Sequence, residues 1–311
     1  MIVLGVIYVV AGLMEMIPLN LIPQSNINDS PVLMRRASID DVRYYANVAG
    51  AAFCQAARVQ NFTCYPYCTD TIAGTFSTPP TSKVQVLKTF YNPIADIKAY
   101  VATIPQRNEV VIAMATGLVQ TNRIFILSAL LTRLDIRHPL NNNTHIETNN
   151  VLVHAPLLHV ARLLFAEYRA TLQQEAKTGK TIVFTGHSVG AELGILSAII
   201  AHQELNIPWA QIRYLGYGMV RIGNREFARW LNQQRVEATH VVNHNDKIVH
   251  LLANFNNYQH FGNEIFLTKH GDIRLCDNRY FEDPHCSTTE ADPKGQDPHL
   301  KAFQTNFGLL C

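Results

Sequence analysis

The chain has 311 residues, enough for one large domain or two small ones, and is 48% hydrophobic but only 16% charged. Its 26 basic and 24 acidic residues leave a formal charge of +2 with no Lys/Arg-rich block, which argues against a nucleic-acid partner and equally against an acidic interaction tail. From Met1 to Ile22 the chain is apolar apart from Glu15 and Asn20, so residues 1–22 are expected to be a cleaved secretory signal or, alternatively, an N-terminal membrane anchor. Residues 23–38 are polar, with Asn, Ser and Pro, and read as a leader or pro-segment.

Between Ser38 and Ala57 the apolar residues Val42, Tyr45, Val48, Ala52 and Phe53 recur at helical spacing and predict an amphipathic helix. Asn61 to Ser82 holds Cys64, Cys68 and several Pro and Thr, and reads as loop or short strand. Lys83–Leu87 and Ile97–Thr103 alternate as strands do, whereas Glu109–Ala115 is a continuous apolar run suited to a strand buried on both faces. Ile124–Leu131 is apolar, Asn141–Asn150 is a polar loop, and Leu158–Ala176 has helical periodicity. Lys180–Thr185 reads as a second buried strand, followed by a glycine turn and an apolar helix, Leu193–His202. Further short strands are expected at Arg213–Gly216, Thr239–Asn243 and Glu264–Leu267. Strands alternating with helices predict an α/β fold with a mostly parallel central sheet flanked by helices, and no linker divides residues 39–311.

The six cysteines fit an oxidising compartment, and sequons at Asn28, Asn61 and Asn142 agree with secretion and glycosylation. A zinc site would have to borrow His285 or His299, but paired C-x2-C knuckles are missing, so no metal is expected.

The chemistry centres on Gly186-His187-Ser188-Val189-Gly190, a G-x-S-x-G run between the buried strand and the helix. Two glycines allow a sharp strand-to-helix turn that projects a serine hydroxyl, and the helix beyond offers its N–H groups, that of Val189 first, to a developing oxyanion. A glycine-flanked serine in an ordinary turn would have the same letters; the strand Thr181-Ile182-Val183-Phe184 ahead of it supplies the context that a nucleophile elbow needs. A serine nucleophile also needs a histidine base and a carboxylate downstream, and there spacing alone does not choose among the histidines from His202 to His299 or the acids from Asp246 to Asp297.

Several motifs in order supply the choice. Beside the elbow stand Val153-His154, Tyr217-Gly218-Met219-Val220-Arg221-Ile222-Gly223-Asn224, Asn245-Asp246-Lys247-Ile248-Val249 and Tyr258-Gln259-His260-Phe261-Gly262-Asn263-Glu264. The chain closes on His299-Leu300-Lys301-Ala302-Phe303 and Gly308-Leu309-Leu310-Cys311. From about Asp40 to Cys311 this succession resembles the fungal-type class 3 lipases, serine hydrolases of α/β-hydrolase-like fold that act on triacylglycerols. The resemblance implies Ser188 as nucleophile, Asp246 as triad acid and His299 as general base, with Val189 and Thr116 as oxyanion donors and no cofactor. It also implies disulfides Cys54–Cys311, Cys64–Cys68 and Cys276–Cys286, the first worth about 4–5 kcal/mol in the loop-entropy account.

The family's FRGT or FRGS turn corresponds here to Met114-Ala115-Thr116-Gly117, with the arginine replaced and the polar residue and glycine in swapped order. The following segment is where the family places its helical lid; Asn122 is followed by Arg123 rather than Trp, and Ile124, Phe125, Ile126 and Leu127 would form the apolar inner face, although a plain buried helix has the same pattern. Val220 and His250 stand where the family favours Pro, and Ala302 where it favours Tyr. The resemblance thus implies a secreted, monomeric acylglycerol lipase working at an oil–water or membrane surface. The alternatives are an esterase for smaller or aromatic esters, of feruloyl type, and a lipid-binding pseudoenzyme with an impaired oxyanion hole.

Overall fold

Apolar runs too long to alternate form the centre of an eight-stranded sheet. In this computed structural model the described residues are 35–68, 84–93, 96–117, 131–134, 150–252, 257–277, 281–289 and 298–308, all within one compact unit, Val32–Cys311. The sheet comprises β1 (Gln85–Asn92), β2 (Ile97–Ile104), β3 (Glu109–Thr116), β6 (Thr181–His187), β7 (Ile212–Tyr217), β9 (Glu237–Asn243), β11 (Asn263–Leu267) and β12 (Ile273–Leu275), in that spatial order. The five strands from β3 to β11 run parallel, and antiparallel pairs close the two edges. β4 (Leu131–Arg133), β5 (Leu152–His154), β8 (Gly223–Asn224) and β10 (Tyr258–Gln259) make a smaller sheet, and β13 (Lys301–Ala302) pairs with β14 (Thr305–Asn306) in a hairpin.

Side-chain alternation assigns each face of the sheet to its own core. Val110, Ile112 and Met114 of β3, with Ile182 and Phe184 of β6, pack in the core that holds α3 (Ala155–Ala176) and α4 (Val189–Leu205). Val111, Ala113 and Ala115, with Val183, face α1 (Ile39–Ala51) on the other side. Helix α4 is buried from Val189 to Ala201, as expected of a helix apolar all round. A parallel sheet covered on both faces needs the unbroken apolar strands seen in the sequence.

Three local differences from the sequence expectation have physical causes. The helix expected over Ser38–Ala57 is capped by the Ser38 hydroxyl, which accepts from the Asp41 N–H at 3.1 Å, but it stops at Ala51 and resumes as α2 (Ala56–Gln60). The interruption turns Phe53 into the core, and Lys98 Nζ takes the Phe53 carbonyl at 2.9 Å. Helix α4 begins directly at Val189 rather than Leu193, and α3 begins at Ala155, where the His154 ring caps the Leu157 N–H. Helix α5 (Arg225–Gln233) was not anticipated: Asn224 caps it through the Phe227 N–H at 3.0 Å, and Phe227, Ala228, Trp230 and Leu231 are its buried stripe.

Cys64–Cys68 and Cys276–Cys286 are disulfide-bonded. Cys54 is also in a disulfide, while Cys311 lies outside the described residues. Glu264, Cys276 and Cys286 approach one another, but both sulfurs are taken by their mutual bond and offer no thiolate to a metal.

Candidate active site

The carboxyl end of β6 is shaped by two glycines whose missing side chains let main chains meet. A Cβ on Gly190 would lie 2.2 Å from the Met114 carbonyl oxygen, and one on Gly186 would lie 2.4 Å from the Gly190 carbonyl oxygen. Between them Ser188 turns sharply, with φ 54° and ψ −128°, a conformation that costs a non-glycine residue about 1–3 kcal/mol. Its N–H donates to the Tyr217 carbonyl at 2.8 Å, and its hydroxyl makes no capping bond to the helix it precedes. The hydroxyl lies 2.9 Å from His299 Nε2 instead.

His299 sits just ahead of the β13–β14 hairpin. Its Nδ1 lies 3.0 and 2.9 Å from the two oxygens of Asp246, which is 1% exposed. A carboxylate only accepts, so the ring carries its proton on Nδ1 and presents a bare Nε2 to the Ser188 hydroxyl, which donates. Asp246 is fixed in turn: its N–H donates to the Asn243 carbonyl, and its Oδ1 accepts the Ile248 N–H, each at 3.0 Å. Gly218, with φ +57°, backs this pair; a Cβ there would stand 3.1 Å from Asp246 Oδ2 and from His299 Nδ1.

The loop carrying Asp246 is anchored by Arg221. Its guanidinium grips Glu282 with two bonds of 2.6 Å and also reaches the Val249 and Leu251 carbonyls. Burial alone would raise the Glu282 carboxyl, but Arg221 beside it outweighs that and holds it down at about 2. Behind the elbow, burial pushes Glu192 well above the usual carboxylate range, against the lowering effect of the Val220 N–H that it accepts at 3.2 Å.

Opposite the elbow, Met114 pairs with Gly186, so Thr116 and Ser188 each lie two residues beyond a matched pair on neighbouring strands. Thr116 is buried at the end of β3, and Val189 opens α4 with an N–H that a helix leaves without an intrahelical partner. Gly117 lies against a neighbouring carboxylate. Asp96 lies over Gly117, its Oδ2 only 1.6 Å from where a Cβ would be, while the Gly117 N–H donates to the Asp96 carbonyl at 2.7 Å. A serine or threonine at position 117 would have to displace that carboxylate, the flexible end of the Asp96 side chain. The expected lid residues Ile124, Phe125, Ile126 and Leu127 lie outside the described residues.

The structure therefore brings Ser188, His299 and Asp246 into one hydrogen-bonded chain and sets Thr116 and Val189 at the adjoining strand end and helix start. Sequence reasoning missed the supporting parts. These are the Tyr217 carbonyl, Gly218, the Arg221–Glu282 pair and His187; all but Glu282 fall within quoted motifs, but nothing in spacing announces what they touch.

An elbow at the carboxyl end of a central parallel strand, with sheet and helices in this order, defines the α/β-hydrolase fold. Solved structures share the fold. A lipase from Rhizopus microsporus var. chinensis aligns at 18% identity with a TM-score of 0.70, over 90% of this chain and 94% of its own. A triacylglyceride lipase from Rhizomucor miehei aligns at 22% identity with a TM-score of 0.67, over 89% and 99%. A triacylglycerol lipase described as having a serine protease triad at its catalytic centre aligns at 21% identity with a TM-score of 0.70, over 89% and 99%. No curated protein matches. Residues 127–256 match the family described as Lipase (class 3).

Proposed function

We propose that the protein hydrolyses the carboxylic ester bonds of acylglycerols through an acyl-enzyme on Ser188. The observation that carries this reading is the unbroken chain from Ser188 Oγ to His299 Nε2 and from His299 Nδ1 to Asp246. His299 takes the proton as Ser188 Oγ bonds to the ester carbonyl carbon, then returns it to the leaving alcohol as the carbon–oxygen bond breaks. A water molecule repeats the sequence on the acyl-enzyme, releasing the fatty acid and restoring Ser188. Asp246 holds the imidazole tautomer and balances the imidazolium charge. The oxyanion takes the Val189 N–H at the positive end of α4 and the Thr116 hydroxyl.

The acylglycerol substrate is favoured by the family match and by the printed descriptions of the structural relatives, which name triacylglycerol and triacylglyceride lipases. Around that chemistry we place a single catalytic domain, 39–311, behind a signal at 1–22 and a leader at 23–38, with Ile124, Phe125, Ile126 and Leu127 on a lid. The disulfides and apolar N-terminus support a secreted monomer acting at a lipid surface, with Cys54 joined to Cys311.

The test compares wild type with Ser188→Ala on short- and long-chain p-nitrophenyl esters and on emulsified triacylglycerol. Wild type is expected to hydrolyse all three, and the variant to lose on the order of 10⁶ in kcat. Equal rates for the two proteins would end the enzyme reading and favour a lipid-binding role. Hydrolysis of short esters without emulsions would leave an esterase, not a lipase.

A further inference from the structure

The base is held from two consecutive positions of one strand end. Ser188 meets the His299 ring at 2.9 Å, and the residue before it, His187, meets the His299 backbone: its Nε2 lies 2.7 Å from the His299 carbonyl oxygen. A carbonyl only accepts, so His187 donates from Nε2–H, which fixes its tautomer. The strand alternation that turns Val183 toward α1 also turns His187 to that face, where its ring lies among Phe53, Phe307 and His299. Phe307 stacks on it at a centroid distance of 4.2 Å and 15° between planes. His187 is only 2% exposed.

We infer that His187 is a positioning residue for the general base, its ring holding the His299 backbone so that nucleophile and base keep one register. This rests on the hydrolase reading of Ser188 and His299. Two bonds from neighbouring residues to one residue form a clamp. A slide of the hairpin segment relative to β6 breaks both together, whereas the Ser188 bond alone would let the imidazole swing about its backbone. The Asn243 side chain, donating to the Pro298 carbonyl at 3.4 Å, supports the same segment from the next strand but one.

The chemistry of position 187 narrows the choice of side chain. A lysine or arginine would bring a positive charge beside a base that must itself become cationic. Burial keeps the His187 ring neutral, and the neighbouring His299 charge pushes it further in that direction. A serine would keep a donor but be too short to reach across, and an aromatic ring would keep the stack with no donor.

Three variants separate the clamp from simple packing. His187→Phe retains a ring on Phe307 and loses the N–H. His187→Gln carries an amide N–H at similar reach. Phe307→Leu removes the stack and leaves the bond. Each is compared with wild type on p-nitrophenyl butyrate, with active sites counted by covalent phosphonate titration and Ser188→Ala as the blank. The phenylalanine variant is expected to lose about 10²-fold in kcat per titrated site with KM unchanged, the signature of a misplaced catalytic group. The glutamine variant is expected to recover most of that loss, and Phe307→Leu to lower the melting temperature while keeping kcat close to wild type. Wild-type kcat in His187→Phe, an equal loss in His187→Gln, or the same kcat loss in Phe307→Leu would each overturn the clamp. Should His187→Phe fail to fold, the glutamine variant and Phe307→Leu decide by the same criteria. Activity surviving in Ser188→Ala would instead refute the underlying hydrolase reading, so the two failures are distinct.

Discussion

The carboxyl ends of β6 and β3 lie side by side, in register at Gly186 and Met114, yet they reach their shapes by opposite means. At β6, glycines take side chains away so that main chains touch, and Ser188 is left as the one group that projects. At β3, Asp96 fills the room beside Gly117, and the polar group moves back one position to Thr116. At the first end the glycines at 186 and 190 are required, because backbone atoms as close as 2.2 Å to a would-be Cβ cannot yield. At the second end the atoms nearest to a would-be Cβ on Gly117 belong to the Asp96 side chain, which can move.

The sharpest way to break the comparison is to attack the better-defined end. Asp246→Asn leaves the shape and removes the acceptor that sets the His299 tautomer, so kcat should fall by about 10⁴-fold with the fold intact. A loss under tenfold in steady-state kinetics would mean that Asp246 does not set the His299 tautomer for catalysis. The anchor of the acid loop comes next. Glu282→Gln leaves Arg221 buried without its counter-charge and should destabilise the protein by about 3–5 kcal/mol in urea titrations at neutral pH. The Glu282 carboxyl is held at about 2 in the folded protein against an ordinary 4.5, so its contribution is present above 4.5 and is lost as pH falls toward 2. The stability gap between wild type and Glu282→Gln should therefore close across that window; a gap independent of pH would refute the ion-pair account.

The β3 end gives the smaller effects. Thr116→Val removes only the hydroxyl, and kcat should fall by about 10²–10³-fold while Thr116→Ser recovers it. Unchanged kcat in Thr116→Val would show that the hydroxyl is not an oxyanion donor. Gly117→Ser, which restores the family's polar residue at 117, should cost about 1–3 kcal/mol by overpacking against Asp96. Adding Asp96→Gly should return the lost melting temperature, since Asp96 itself has φ 47° and glycine accepts that backbone readily. Failure of the second change to relieve the first would refute steric pressure of Asp96 on position 117.

The same contrast explains what could be read before the structure. Unbroken apolar runs at Glu109–Ala115 and Thr181–Phe184 identified the central strands, since only a sheet covered on both faces tolerates them. Ser188 was legible from its glycines and flanking strand. Asp246 and His299 were legible only through the order of motifs, because the fold, not the spacing, carries residue 299 to residue 188. Helix α5 went unread although Asn224, Phe227, Trp230 and Leu231 have the cap and the spacing of one; its many polar residues masked a narrow buried stripe. The helix break at Ala52 was not legible because it depends on Lys98, far along the chain. His187 escaped notice because its partner is a backbone carbonyl more than a hundred residues away, which leaves no trace in any local pattern.

The central claim is that Ser188 is the nucleophile activated by His299. It is tested most directly by treating the protein with a p-nitrophenyl alkylphosphonate and mapping the adduct by peptide mass spectrometry. One phosphonyl group per chain on Ser188, formed in wild type, much slowed in His299→Ala and missing in Ser188→Ala, is the predicted result. An unlabelled wild type, or a label that persists in Ser188→Ala, would contradict it.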